Sequence, residues 1–342
     1  MPRRASERST AALGVLLVAL ASASACSGEA FHYAPDVSAG SGSDAGAGGS
    51  SGNVSGSGGT SSAGQSGSPD LSDPGTLSNP VDAGGAEQPV ASACGFPRVP
   101  DPELKNDEVC LGPAELSMGS SEPNLGGQYA DHLPPHNVSL SPFFIDAYEV
   151  TVARYRACVD AGACSEPRLD ATQGCTYTSA PGARELFPVT CVNWSEADTF
   201  CDWEGRRLVT EAEWELAARG EEARRDPWGD DVECNRAVLS GSAQCPEHAG
   251  QLPKRVGSMP RGASPEGVYD LTGNAWEWVH DRAGSYSTAE QQDPQGPTFG
   301  TSRVQRGGAW LTVAAGATGW VRSSVAAAAD GPFSLRCARD VE

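Results

Sequence analysis

Between Arg8 and Arg98 the chain has no lysine or arginine, and between Tyr33 and Phe96 it has no aromatic side chain. A stretch of that kind cannot bury enough apolar surface to offset its ordering entropy. Any packed core must therefore come from the residues on its C-terminal side. Residues 27–93 are dominated by Gly, Ser and Ala and read as a disordered linker. A flexible chain of this length spans about 45 Å on average, which suits a tether. Residues 94–342 are the size of one large domain and hold all 8 tryptophans.

The first residues read as an export signal. Arg3, Arg4 and Arg8 make a basic start, and Ala11 to Ala21 is an apolar run too short to span a bilayer. Ala23-Ser24-Ala25-Cys26 comes next and is similar to a bacterial lipobox, with Ala23 where leucine is usual. Residues 1–26 are thus expected to be a lipoprotein signal peptide, with Cys26 as the lipidated residue. Ser27 is not the aspartate of an inner-membrane retention signal. The expected location is the cell envelope, lipid-anchored at the outer membrane, so the membrane is a partner through the anchor. Nothing later in the chain is apolar enough to span a bilayer. The net charge of −20 repels phosphates and argues against nucleic acid.

Setting Cys26 aside, ten of the 11 cysteines remain, an even number in a chain routed to an oxidising compartment. Local spacing pairs Cys158 with Cys164 and Cys234 with Cys245; it also allows Cys175 with Cys191 or Cys94 with Cys110. No Cys-x-x-Cys occurs, which weakens a zinc reading.

Helices are few and short. Thr151 can cap one through Tyr155 and Val159 that ends at Gly162, and Ser195 a second with Ala197, Phe200 and Cys201 on its buried stripe. Thr210-Glu-Ala-Glu213 is a capping box opening a third, ended by Gly220. Phe143–Ile145 and Val189–Val192 are short apolar runs between turn residues. These features predict an irregular, loop-rich α+β domain. Arg206-Arg207 reads as an ion-pair site at a buried edge. Pro134 and Pro135 forbid a helix joining His132 to His136 and so argue against a metal pair there.

The densest chemistry lies in Gly267-Val-Tyr-Asp-Leu-Thr-Gly-Asn-Ala-Trp-Glu-Trp278. Two acids, an amide, glycines and two indoles in one loop suggest a metal-organised turn set into an aromatic core. Asn274 and Trp276 are candidates to line a cleft, although Trp276 and Trp278 also suit core packing. His280 and Asp281, just beyond, are polar cleft candidates.

That segment and six others resemble, in order, the formylglycine-generating enzyme (sulfatase-modifying factor) family. The others are Phe143–Thr151, Pro188–Trp194, Phe200–Gly220, Pro227-Trp-Gly229, Arg306-Gly-Gly-Ala-Trp310 and Leu335-Arg-Cys-Ala-Arg339. The resemblance covers about residues 110–340. It implies a C-type-lectin-like single domain stabilised by Ca²⁺. The implied calcium ligands are Asp270 and Glu277 through their carboxylates and Gly273 and Ala275 through their carbonyls, a hard-oxygen set. A weaker second site would involve Asn235. It also implies a Cys201–Cys337 disulfide. The family oxidises a cysteine within Cys-x-Pro-x-Arg, using two thiolates that hold Cu(I). Here the first of those positions falls on Thr312 and the second on Ala317 or its neighbour Thr318, with Ala309 at the family's preceding serine and a later arginine position near Ala326. No cysteine lies between Cys245 and Cys337. A hydroxyl and a methyl cannot replace two thiolates at soft copper. The expected function is therefore a calcium-stabilised binding or assembly module with a protein or glycan ligand, without copper and with no catalytic residue at those positions. The alternative is an enzyme of the same family, either an oxidase with another ligand set or a copper-independent modification enzyme, acting on exported proteins.

Overall fold

The computed structural model describes residues 101, 103–122, 131–230, 235–241 and 252–341. The signal peptide, Cys26, the linker, Cys94, Cys234 and Cys245 lie outside the described residues.

Among the described residues, three small sheets and three α-helices form the framework of the domain. Strands β1 (Glu108–Leu111), β4 (Phe143–Asp146), β5 (Arg207–Leu208) and β11 (Cys337–Asp340) form an antiparallel sheet in the order β1-β4-β11-β5. Strands β6 (Trp276–Arg282), β8 (Ser302–Arg306), β9 (Arg322–Ala326) and β10 (Phe333–Leu335) form a second, in the order β10-β6-β8-β9, with β10 parallel to β6. Strands β2 (Ala114–Met118), β3 (His136–Leu140) and β7 (Gln291–Gln292) form the third. Most of the remaining backbone is loop, as the α+β reading expected. No described helix is long and apolar enough to cross a membrane.

The helices α1 (Val152–Asp160) and α3 (Glu211–Arg219) start where the capping residues place them. Thr151 Oγ1 accepts from Arg154 N–H, and Thr210 and Glu213 exchange both bonds of a capping box. The second helix is corrected. α2 (Trp194–Trp203) is capped by Asn193 in a reciprocal box with Glu196, two residues before Ser195. Both residues suit an N-cap and each has an acid three positions on, Glu196 and Asp198, but it is Glu196 whose carboxylate reaches back to the Asn193 N–H. Val189–Val192 is buried yet forms no strand. Its backbone turns at Cys191 (φ 65°), where Thr190 is tied to Thr176, and Cys191 is bonded to Cys175.

Two apolar clusters position the site. Trp214, Leu216 and Ala217 of α3 pack on Leu116, Val138, Val279 and Val304. Tyr155, Phe200, Trp278 and Leu335 pack around the Cys201–Cys337 bridge. That bridge ties α2 to β11 across 136 residues, and Cys158–Cys164 closes the local loop after α1.

Candidate functional site

The loop before β6 is held by backbone that few residues tolerate. Asp270 (φ 59°), Gly273 (φ 79°) and Asn274 (φ 62°) all adopt left-handed conformations, which Asp, Asn and Gly accept most readily. At Gly273 a Cβ would lie 2.3 Å from the Val238 carbonyl oxygen, so no side chain fits there. The loop delivers Trp276 and Trp278 into the core at 7% and 0% exposure. Both therefore pack; neither is an open platform. Asn274 is also spent structurally: its amide donates to Glu149 and its oxygen accepts from Lys254 N–H.

Glu277 is engaged by a cation already present. Arg336 donates to both of its oxygens, at 2.6 and 2.7 Å, and Trp214 Nε1 donates at 2.8 Å. Asp270 accepts from Gly257 N–H at 2.6 Å. The third acid is one that sequence reading missed. Glu149, fully buried, accepts from Ala275 N–H at 3.0 Å and sits in the field of Asp270 and Glu277. Its only sequence signal is its place in the Tyr148-Glu-Val-Thr phrase just before α1. Burial, reinforced by those two charges, pushes Glu149 well above the usual carboxylate range. Burial pushes Asp270 up to about 6, and Glu277 adds to the rise against the Gly257 hydrogen bond and Arg336.

Three buried carboxylates around one guanidinium leave negative charge uncompensated. A divalent cation would supply the missing positive charge. The Gly273 and Ala275 carbonyls accept no backbone hydrogen bond among the described residues, so their oxygens are available as hard donors. No three His, Cys, Asp or Glu side chains among the described residues are grouped to hold a metal. The donor set that fits is thus mixed: Asp270, two main-chain carbonyls, and Glu277 only if shared with Arg336. Asn235 is exposed in a turn.

Thr312 and Ala317, the positions that the resemblance sets against the family's thiols, come together. A Cβ on Gly308 would lie 2.6 Å from Ala317 Cβ and 3.4 Å from Thr312 Cβ, so both residues flank one point of the backbone. Ala317 is 0% and Thr312 7% exposed. Thr312 Oγ1 accepts from Ala309 N–H at 3.0 Å, and its own N–H returns to Ala309 O at 2.8 Å. The hydroxyl closes a local turn and presents no soft donor. Leu311 and Val313 beside it stand exposed at 58% and 51%. Every cysteine among the described residues is disulfide-bonded.

Beneath this loop Arg306 is fully buried, donating to Glu211 at 2.8 Å and Glu215 at 2.7 Å, while Arg322 holds both oxygens of Glu211. Tyr286 donates to Glu211 as well. The buried-edge reading of Arg206-Arg207 is also met: Arg206 pairs with Asp146 and Arg207 with Glu213.

The sulfatase-modifying factor enzyme 1-like domain family matches residues 97–341. The chain belongs to this family. A formylglycine-generating enzyme of Thermomonospora curvata is 30% identical over 267 residues, covering 63% of this chain and 86% of that protein. A relative from Bos taurus, named inactive C-alpha-formylglycine-generating enzyme 2, is 38% identical over 149 residues. That match covers 40% of this chain and 43% of the relative's own length. PvdO from Pseudomonas aeruginosa shares the fold, with a TM-score of 0.58 at 24% identity over 72% of this chain and 99% of PvdO. The sulfatase-modifying factor domain thus accounts for the described fold.

Proposed function

We propose that this sulfatase-modifying factor domain is a non-catalytic binding or assembly module of the cell envelope, stabilised by Ca²⁺ at the Asp270–Ala275 loop. The observation that carries the reading is the chemistry of the Thr312–Ala317 loop. In this reading the buried Ala317 methyl and the Thr312 hydroxyl, tied to backbone, stand where the family carries its thiols, and no described cysteine is free. Soft Cu(I) needs thiolate ligands, and none is supplied there. A relative named as inactive supports the view that the fold persists without the oxidase reaction. The exposed Leu311 and Val313 give the loop apolar surface suited to contact with a protein partner.

The test is direct. The chain is incubated with Cu(I) and a Cys-x-Pro-x-Arg peptide, and the peptide is weighed by mass spectrometry. The expected result is an unchanged thiol; conversion at the rate of a cysteine-bearing family enzyme would overturn the reading. In the same proposal the chain is held at the outer membrane by lipid on Cys26, through the residue 27–93 tether. Cys26→Ser should move the protein from the detergent-soluble membrane fraction to the soluble one, and unchanged partition would remove the anchor.

A further inference from the structure

A cavity of about 320 Å³ opens between the N-terminus of α3, the end of β6 and the 284–297 loops. That volume is at the low end for small-molecule sites. Its lining shares no residue with Asn274, Trp276, Thr312 or Ala317, so what it binds is independent of what the Thr312–Ala317 loop does.

Its floor is Asp281, 4% exposed. One oxygen, Oδ2, accepts from Glu211 N–H at 2.8 Å and so ties down the first turn of α3. The other, Oδ1, takes no hydrogen bond from a described residue and is not closed off from solvent, so it is open to the cavity. The loop above is shaped to leave it open. At Gly296 (φ 71°) a Cβ would lie 2.8 Å from Asp281 Cβ and 3.0 Å from Oδ1, so any side chain there would cover the oxygen.

Charge on the walls is largely matched. Arg322 and Glu211 neutralise each other in a two-bonded pair, and the half-buried Arg282 donates to the Gly300 carbonyl. Burial, then the Glu211 charge, pushes Asp281 up to about 8, so at neutral pH its carboxyl carries a proton. The rim is made of Ser285, Ser287, Gln291 and Gln295, whose hydroxyls and amides both donate and accept. Pro294 and Pro297 give it apolar patches.

We infer that this cavity is a binding site for a neutral, hydroxyl-rich ligand of sugar class, seated with one hydroxyl on Asp281 Oδ1. Hydroxyl and amide groups match such a ligand in both directions, and the proline rings suit its C–H faces.

The test uses the full chain, methyl glycosides of neutral hexoses as probes, and hexuronates and inorganic phosphate for comparison. Binding is read by saturation-transfer NMR and titration calorimetry. Ser285→Trp plugs the mouth from an exposed position, and Gln295→Ala removes one rim amide without filling space. The expected result is binding of at least one neutral glycoside, weakened about tenfold or more by Ser285→Trp with the melting midpoint unchanged. A smaller loss is expected with Gln295→Ala. The inference is overturned if no neutral glycoside binds, if only uronate or phosphate binds, or if binding survives Ser285→Trp undiminished.

Discussion

Replacing Cys201 and Cys337 together by alanine is expected to lower the unfolding free energy by about 5 kcal/mol, the chain-entropy value for a loop of this length. The two residues lie 136 apart, so the bridge restricts a large part of the unfolded domain. Both are fully buried, between Phe200 of α2 and Leu335 and Trp278 of the neighbouring strands. Alanine therefore leaves small voids but buries no new polar group. In a domain of this size the loss amounts to roughly 10–20 °C in melting midpoint. The paired control is Cys158→Ala with Cys164→Ala. Its loop spans only 6 residues, and the same relation gives about 2 kcal/mol. Urea unfolding of the two double variants separates them. Equal losses, or a larger loss from the short loop, would sink the idea that loop length sets the effect.

The features legible in the sequence were local ones. Thr210 to Gly220 announced α3 with its box and its terminal glycine, and both are where expected. Cys158–Cys164 came from spacing, and of the two alternatives left open Cys175–Cys191 forms. Cys110 is disulfide-bonded too. The Cys201–Cys337 pair came only with the family resemblance, because no local rule joins residues so far apart. The charged positions of α3 were the least legible. Glu211, Glu215 and Arg219 look like a solvent face, yet all three are buried. Glu211 and Glu215 are held there by Arg306 and Arg322, about a hundred residues on, and such pairing leaves no periodic trace. Glu149 was missed for the same reason. Its partners Asn274 and Ala275 lie 125 and 126 residues away.

The Gly267–Trp278 loop rests on Arg336, and Arg336→Met is expected to cost about 3–5 kcal/mol at pH 7, the range for breaking a buried pair from one side. Arg336 is fully buried. It neutralises Glu277 with two bonds and donates to the carbonyls of Asp146 and Tyr269. Methionine matches its length but leaves Glu277, Glu149 and Asp270 buried with no cation among them. The sign of the pH dependence comes from linkage. Asp270 has its folded pKa raised from 3.8 to about 6, so the folded state holds the extra proton in that window. Stability is therefore greater on the acid side and falls as pH rises through about 6. Glu149 is raised in the same sense. Without Arg336 these carboxyls lose the cation that lowers them, so the deficit of the variant should shrink near pH 5 and widen above pH 7. Urea unfolding of both proteins at the two pH values reads this, and a deficit independent of pH would refute the uncompensated-carboxylate account. Calcium supplies the third arm. If the ion sits beside Asp270 and the Gly273 and Ala275 carbonyls, Ca²⁺ raises the melting midpoint of the unmodified protein and a chelator lowers it. It also narrows the deficit of Arg336→Met by restoring positive charge. A midpoint that ignores both calcium and chelator would remove the ion from the loop and leave Arg336 as its sole counter-charge.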